Sequence, residues 1–167
     1  MAQQTVCWNG GDKMRKALQS IADKLGTAGK VQIGFFEDAT YPPAYTTRQK
    51  FRINGGKRKP VPVAQVAFWN IYGTKKTPPR DFMGAAIRAN QSYWPQDIAD
   101  LAKAHSYDAR KVLELMGESI KDDIVHYIEV WSQPPNSKVT VAIKGFNKPL
   151  TDEGIMKANV GFRVTGV

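Results

Sequence analysis

The chain has 167 residues, 42% hydrophobic and 23% charged, enough for one domain with a proper core and ordinary for a globular protein. No apolar run approaches the roughly 20 residues that span a bilayer, and Met1 to Gly11 lacks the basic head and apolar stretch of a signal peptide. The net charge of +9 favours an anionic partner, nucleic acid or an acidic protein surface, and the lone Cys7 excludes an intramolecular disulfide, in keeping with first use in a cytoplasm.

Asp12 to Leu25 reads as an amphipathic helix. Met14, Ala17, Leu18, Ile21 and Leu25 recur on one face, and Gly26 supplies a left-handed stop. Lys30 to Phe36 is short, partly β-branched and aromatic, and follows a glycine turn, which predicts a strand. Asp38 to Pro62 is then a long loop, punctuated by Pro42, Pro43, Gly55, Gly56, Pro60 and Pro62. It carries Arg48, Lys50, Arg52, Lys57, Arg58 and Lys59, with no acid between Tyr41 and Pro60. Asn54-Gly55 would suit a hairpin turn, so a strand-turn-strand arm is one form open to it.

Val63 to Tyr72 is apolar on most sides and stops at Gly73, which predicts a short buried helix. Thr74 to Arg80 is a basic, proline-broken loop bearing Lys75 and Lys76. Asp81 can cap the next helix, whose face holds Phe82, Ala85, Ala86 and Ala89, and Pro95 breaks or restarts it on the way to Ala104. Ser106 is the predicted N-cap of the longest helix, with Asp108 in its first turn. Leu113, Met116, Ile120, Ile124, Tyr127, Ile128 and Trp131 form its apolar stripe, and Pro134-Pro135 end it.

Residues 138–144 read two ways: Val139 to Ile143 alternate like a strand, while Ser137 and Gly145 look like helix caps. Thr151 or Asp152 is expected to cap one helical turn around Gly154 to Lys157, and Asn159 to Val164 reads as a closing strand. The sum is an α+β fold in a single domain over 1–167. Its small, mostly antiparallel sheet, from strands near Val31 and Val160, packs under the helix from Tyr107 to Trp131.

Motifs of catalysis are missing: no nucleophile elbow, Walker loop, zinc-protease or dinucleotide signature occurs. Gly55-Gly56-Lys57 has neither the spacing nor the following Ser or Thr of a phosphate loop. His105 and His126 have no ligand-like companions, so neither metal nor cofactor is expected. Glu114, Glu118 and Asp122 share one helix face, either a solvated surface or a complement for a neighbour's basic loop. Among the aromatic residues, Trp131 and Phe68 fit the core better than a stacking platform, and Trp94 fits it less well.

Three segments taken together resemble the tail-completion, or neck, proteins of long-tailed bacteriophages. They are Val31 to Tyr41 (VQIGFFEDATY), Val63 to Ala86 (VAQVAFWNIYGTKKTPPRDFMGAA) and Lys144 to Val164 (KGFNKPLTDEGIMKANVGFRV). The second is similar to the family's helix, Gly-Thr, then proline-arginine-phenylalanine and a new helix. The third resembles its Lys-Gly, Pro-Leu, Asp-x-Gly and closing strand. The order and spacing also match. Departures are Asn70-Ile71-Tyr72 where an acid often precedes Gly-Thr, Arg80-Asp81-Phe82 for Arg-Pro-Phe, and Asp152-Glu153-Gly154 for Asp-Thr-Gly.

The resemblance implies a structural virion protein of the head–tail connector, assembled in the host cytoplasm, with no catalytic residues to carry over. It implies a homo-oligomeric ring, sixfold by the symmetry of the tail tube or twelvefold by that of the portal. Its partners would be a head-completion or connector protein and a tail terminator or tail tube protein. DNA would pass through the ring without specific binding, and no membrane is involved. A heterologous, ring-closing contact needs complementary faces. Candidates are Arg48, Lys50, Arg52, Lys57, Arg58, Lys59, Lys75, Lys76 and Arg80 on one side, and Glu114, Glu118 and Asp122 on the other. The alternative is a nucleic-acid-binding module using the basic loop at 48–59, which salt-dependent binding to free DNA would favour.

Overall fold

The computed structural model describes residues 29–41 and 60–166, together with Arg15, Lys16, Gln19, Ser20 and Asp23, which are helical and exposed. Those five supply a polar face for the helix predicted over Asp12 to Leu25. Its apolar positions, Cys7, and the basic residues Arg48, Lys50, Arg52, Lys57, Arg58 and Lys59 lie outside the described residues.

Alternation makes the first strand. In β1 (Lys30–Gly34) Lys30 and Gln32 face out, while Val31 and Ile33 are half-buried. It pairs antiparallel with β4 (Gly161–Thr165), Ile33 opposite Phe162 and Lys30 opposite Thr165. β2 (Thr40–Tyr41) and β3 (Val61–Pro62) pair antiparallel, so the segment predicted as loop over Asp38 to Pro62 is strand near both ends, and its remainder from 42 to 59 lies outside the described residues. The backbone N–H of Val63 also donates to Ala39 O at 2.9 Å.

α1 (Val63–Tyr72) ends where Gly73 takes a φ of 76°, as predicted, but it buries only Val63 and Ala67. Phe68 and Tyr72 are 56% and 69% exposed, with ring centroids 4.6 Å apart. Phe68 is therefore not a core residue. Four positions apart, it and Tyr72 share the face of α1 opposite to Val63 and Ala67.

α2 (Phe82–Asn90) is capped by Asp81, whose Oδ1 accepts from Gly84 N at 2.8 Å. Phe82 and Ala86 are buried, whereas Ala89 faces solvent. α3 (Trp94–Ala104) restarts with Pro95 in its first turn, where a missing N–H costs nothing. Trp94 and Leu101 are partly buried against the core.

α4 (Ala109–Val130) is the long helix. Its N-cap is Asp108, accepting from Lys111 N at 3.1 Å, and not Ser106. Ser106 and Tyr107 have φ of 54° and 60°, a left-handed turn that closes α3 before α4 can start. Val112, Met116, Gly117, Ile120, Ile124 and Ile128 form the buried stripe, which covers β1 and β4 and packs on α2 and α3. Trp131 follows at the C-cap, packed against the core as expected.

Residues 138–144 are helical, as α5 (Lys138–Lys144). Ser137 Oγ accepts from Thr140 N at 3.2 Å, and Gly145, with φ of 82°, donates to Val141 O at 2.7 Å. Both ends are thereby satisfied locally, and the valine alternation is overridden. α6 (Ile155–Ala158) begins after Gly154, at φ of 77°, with no side-chain cap from Thr151 or Asp152. β4 starts at Gly161, later than the predicted Asn159, with Val160 buried just before it. The fold is α+β: small antiparallel sheets packed with one long helix.

Two measurements test this core. Ile124, 2% exposed at the centre of the stripe, should cost about 2–5 kcal/mol when replaced by Ala. Lys121→Ala, on the same helix but off the stripe, should cost under about 0.5 kcal/mol. Equal small effects in thermal melts would remove α4 from the core. At Gly117, an added Cβ would stand 2.5 Å from Phe162 Cδ2. Gly117→Ala should therefore lower stability by about 1–3 kcal/mol from overpacking, despite a helix-propensity gain of about 1 kcal/mol. A raised melting temperature would show that Phe162 yields.

Candidate functional site

The turn after α1 is held by its own hydrogen bonds. Thr74 N donates to Thr77 O at 2.8 Å, and Thr77 N returns to Thr74 Oγ1 at 3.1 Å. A Cβ on Gly73 would meet Pro79 N and Thr77 O at 3.0 Å, so glycine is needed for closeness as well as for its positive φ. Lys75 and Lys76 stand exposed at the tip.

The same turn brings Arg80 back against α1, its N–H donating to Asn70 O at 2.6 Å. Here the structure departs from expectation: Arg80 does not reach out to a neighbour but turns inward, 5% exposed. Its Nε donates to Pro134 O at 3.0 Å, and its Nη2 to Pro135 O at 3.1 Å and Asn136 Oδ1 at 3.5 Å. All of these acceptors are uncharged. Burial alone lowers the pKa of the guanidinium, with no acid to offset it.

Lys144 is the second buried cation, 4% exposed at the end of α5. Its Nζ donates to Lys148 O at 2.6 Å and to Thr151 O, and lies 4.9 Å from the Phe146 ring centroid. It folds the segment after α5 into a bend without regular structure. Sequence reasoning had not singled it out as a site; a lysine closing the apolar run Val139 to Ile143 was the available signal.

Between these two cations lies a cleft of about 320 Å³. Tyr41, Trp69 and Ile155 supply apolar wall, while Lys76, Asp152 and Glu153 bring charge to it. Trp69 is 41% exposed, and Asp152 and Glu153 face solvent. Asn136 Nδ2, on the Arg80 side, is buried with no hydrogen-bond partner.

The acidic helix face lies apart from the cleft. Glu114 is 3.8 Å from Arg110 on the same helix, Glu118 pairs with Lys121, and Asp122 stands 3.9 Å from Lys121. Each carboxylate is thus partly met by its own helix, at exposed positions where such pairs contribute little. Lys75 and Lys76 have no acidic partner among the described residues. Among the described residues no three of His, Cys, Asp and Glu are grouped to hold a metal, and no helix is long and apolar enough to cross a membrane.

Comparison with protein families, with curated proteins and with solved structures finds no match for this chain.

Arg80 uses the planar fork of its guanidinium to join three successive residues, which an ammonium cannot copy. Arg80→Lys should therefore cost about 1–3 kcal/mol, read as a lower melting temperature at neutral pH. A wild-type melting temperature would mean that a point charge suffices.

Proposed function

We propose that the chain is a non-enzymatic structural subunit of the neck of a tailed bacteriophage, forming a ring that joins tail to capsid. The observation that carries this reading is convergence. The three segments that resemble neck proteins are distant in sequence, yet each contributes to the wall of one cleft: Tyr41 from the first, residues such as Trp69 and Arg80 from the second, and residues such as Lys144 and Leu150 from the third. The motif residues within them have architectural work. Gly73 stops a helix, Arg80 ties α1 to the 134–136 segment, and Lys144 with Gly145 shapes the bend that precedes Pro149-Leu150. A family defined by assembly needs residues of this kind.

The exposed surface supports the same reading. Phe68 and Tyr72 place two adjacent, mutually tilted aromatic rings on α1, and the exposed, cationic Lys75 and Lys76 follow in sequence. Exposed aromatic residues suit the centre of a protein contact, and lysines at its rim would steer an acidic partner to it. In the ring this face would meet a neighbouring subunit or a connector protein.

Deleting the gene should leave filled heads and separate tails that do not join. Fully joined, infectious particles would rule out the neck role. Replacing Lys75 and Lys76 together by Ala should leave the melting temperature nearly unchanged, since exposed charges contribute at most about 1 kcal/mol each. Incorporation into particles, measured by protein composition, should fall; normal incorporation would remove the turn from the contact.

A further inference from the structure

Arg80 is a buried guanidinium without a counter-ion. Among the described residues no carboxylate lies within ion-pair distance of it, and every acceptor it has is neutral. A charge held this way is poorly compensated, because carbonyl dipoles replace only part of the lost hydration. One face of the fork is also unused. Nε and Nη2 serve the 134–136 segment, whereas Nη1 has no acceptor among the described residues. Arg80 lines the cleft, as does Asn136, whose Nδ2 is a second donor with nothing to donate to. Unlike Asn136 Nδ2, Nη1 is not fully buried, so an anion in the cleft can replace water on this charged donor.

We propose that this cleft binds a carboxylate carried on a protein segment that has a basic group beside it. The planar guanidinium matches a carboxylate in shape and charge, and gains most where water is excluded. Exposed Asp152 and Glu153 line the same cleft and oppose a polyanion such as nucleic acid. They accommodate a single acid followed or preceded by a base, the acid going to Arg80 and the base to the two carboxylates. A volume of about 320 Å³ is at the low end for a ligand site and suits a side chain or two rather than a large cofactor. The half-exposed ring of Trp69 offers the stem of the bound segment an apolar surface.

The full chain, labelled with nitrogen-15, would be titrated with acetyl-Glu-Lys-amide and, separately, with acetyl-Gln-Lys-amide. The glutamate peptide should shift the Arg80 Nε and Asn136 side-chain resonances saturably, and the glutamine peptide should bind about tenfold more weakly or not at all. Equal responses to the two, or no shift at these groups, would overturn the proposal. Inorganic phosphate and a short oligothymidylate form the other arms. Tighter binding of either would make the site one for phosphate or nucleic acid and overturn a protein segment as its ligand. Trp69→Ala removes a half-exposed ring, so the fold should survive while the glutamate peptide weakens. A folded variant that binds unchanged would place the peptide elsewhere and also overturn it. Any of these results leaves the neck role to its own test on particles.

Discussion

The burial of one helical stripe constrains everything else in this molecule. Val112, Met116, Ile120, Ile124 and Ile128 fall on one side of α4, and that side needs a cover wider than any single strand here provides. β1 and β4 together supply it, which is why two five-residue strands from opposite ends of the described chain must meet. The close approach depends on a missing side chain: Gly117 lets the Phe162 ring sit where a Cβ would otherwise stand. α2 and α3 then pack on what remains of the helix, Phe82 meeting Phe35 edge to face at 6.1 Å.

Away from that apolar centre the structure relies on polar groups. The segments from Trp131 to Ser137 and from Gly145 to Gly154 have no regular secondary structure, so their carbonyls need donors from elsewhere. Arg80 and Lys144 provide them, each reaching several carbonyls that no ladder could satisfy. The arrangement trades desolvation of a cation for order in a loop. With Arg80 the trade leaves Nη1 without a protein acceptor among the described residues.

The charged surface is organised less simply than the net charge suggests. On α4, Arg110 answers Glu114 four residues on, and Lys121 answers Glu118 three residues back as well as the adjacent Asp122, so the three acids present a muted field. Lys75 and Lys76 have no such answer among the described residues, and they follow Phe68 and Tyr72 along the chain at the exposed end of α1. If a neighbour docks by charge, the turn therefore offers it more than the acidic stripe does. Lys157 and Glu129, 2.6 Å apart and both partly exposed, tie α6 to α4 instead, and the bond lowers the pKa of the Glu129 carboxyl.

The long helix, most of its stripe (with Val112 buried where Leu113 was expected), the break at Pro95, the stop at Gly73 and the Asp81 cap were legible in the sequence. Each is a local matter of periodicity, backbone conformation or a side chain bonding three residues away. The choice of helix for residues 138–144 was half legible, because its caps were visible but the valine alternation argued the other way. Three things were not local. Phe68 faces outward because the tertiary fold buries the Val63 and Ala67 side of α1, and apolarity alone cannot say which side that is. Asp108 caps α4 in place of Ser106 because the left-handed turn at Ser106 and Tyr107 is set by how α3 must end before α4 begins. Arg80 turns inward because its acceptors lie more than 50 residues further along the chain. A sequence states which groups can donate; only the folded chain decides which distant acceptors come within reach, and which donors it leaves unsatisfied.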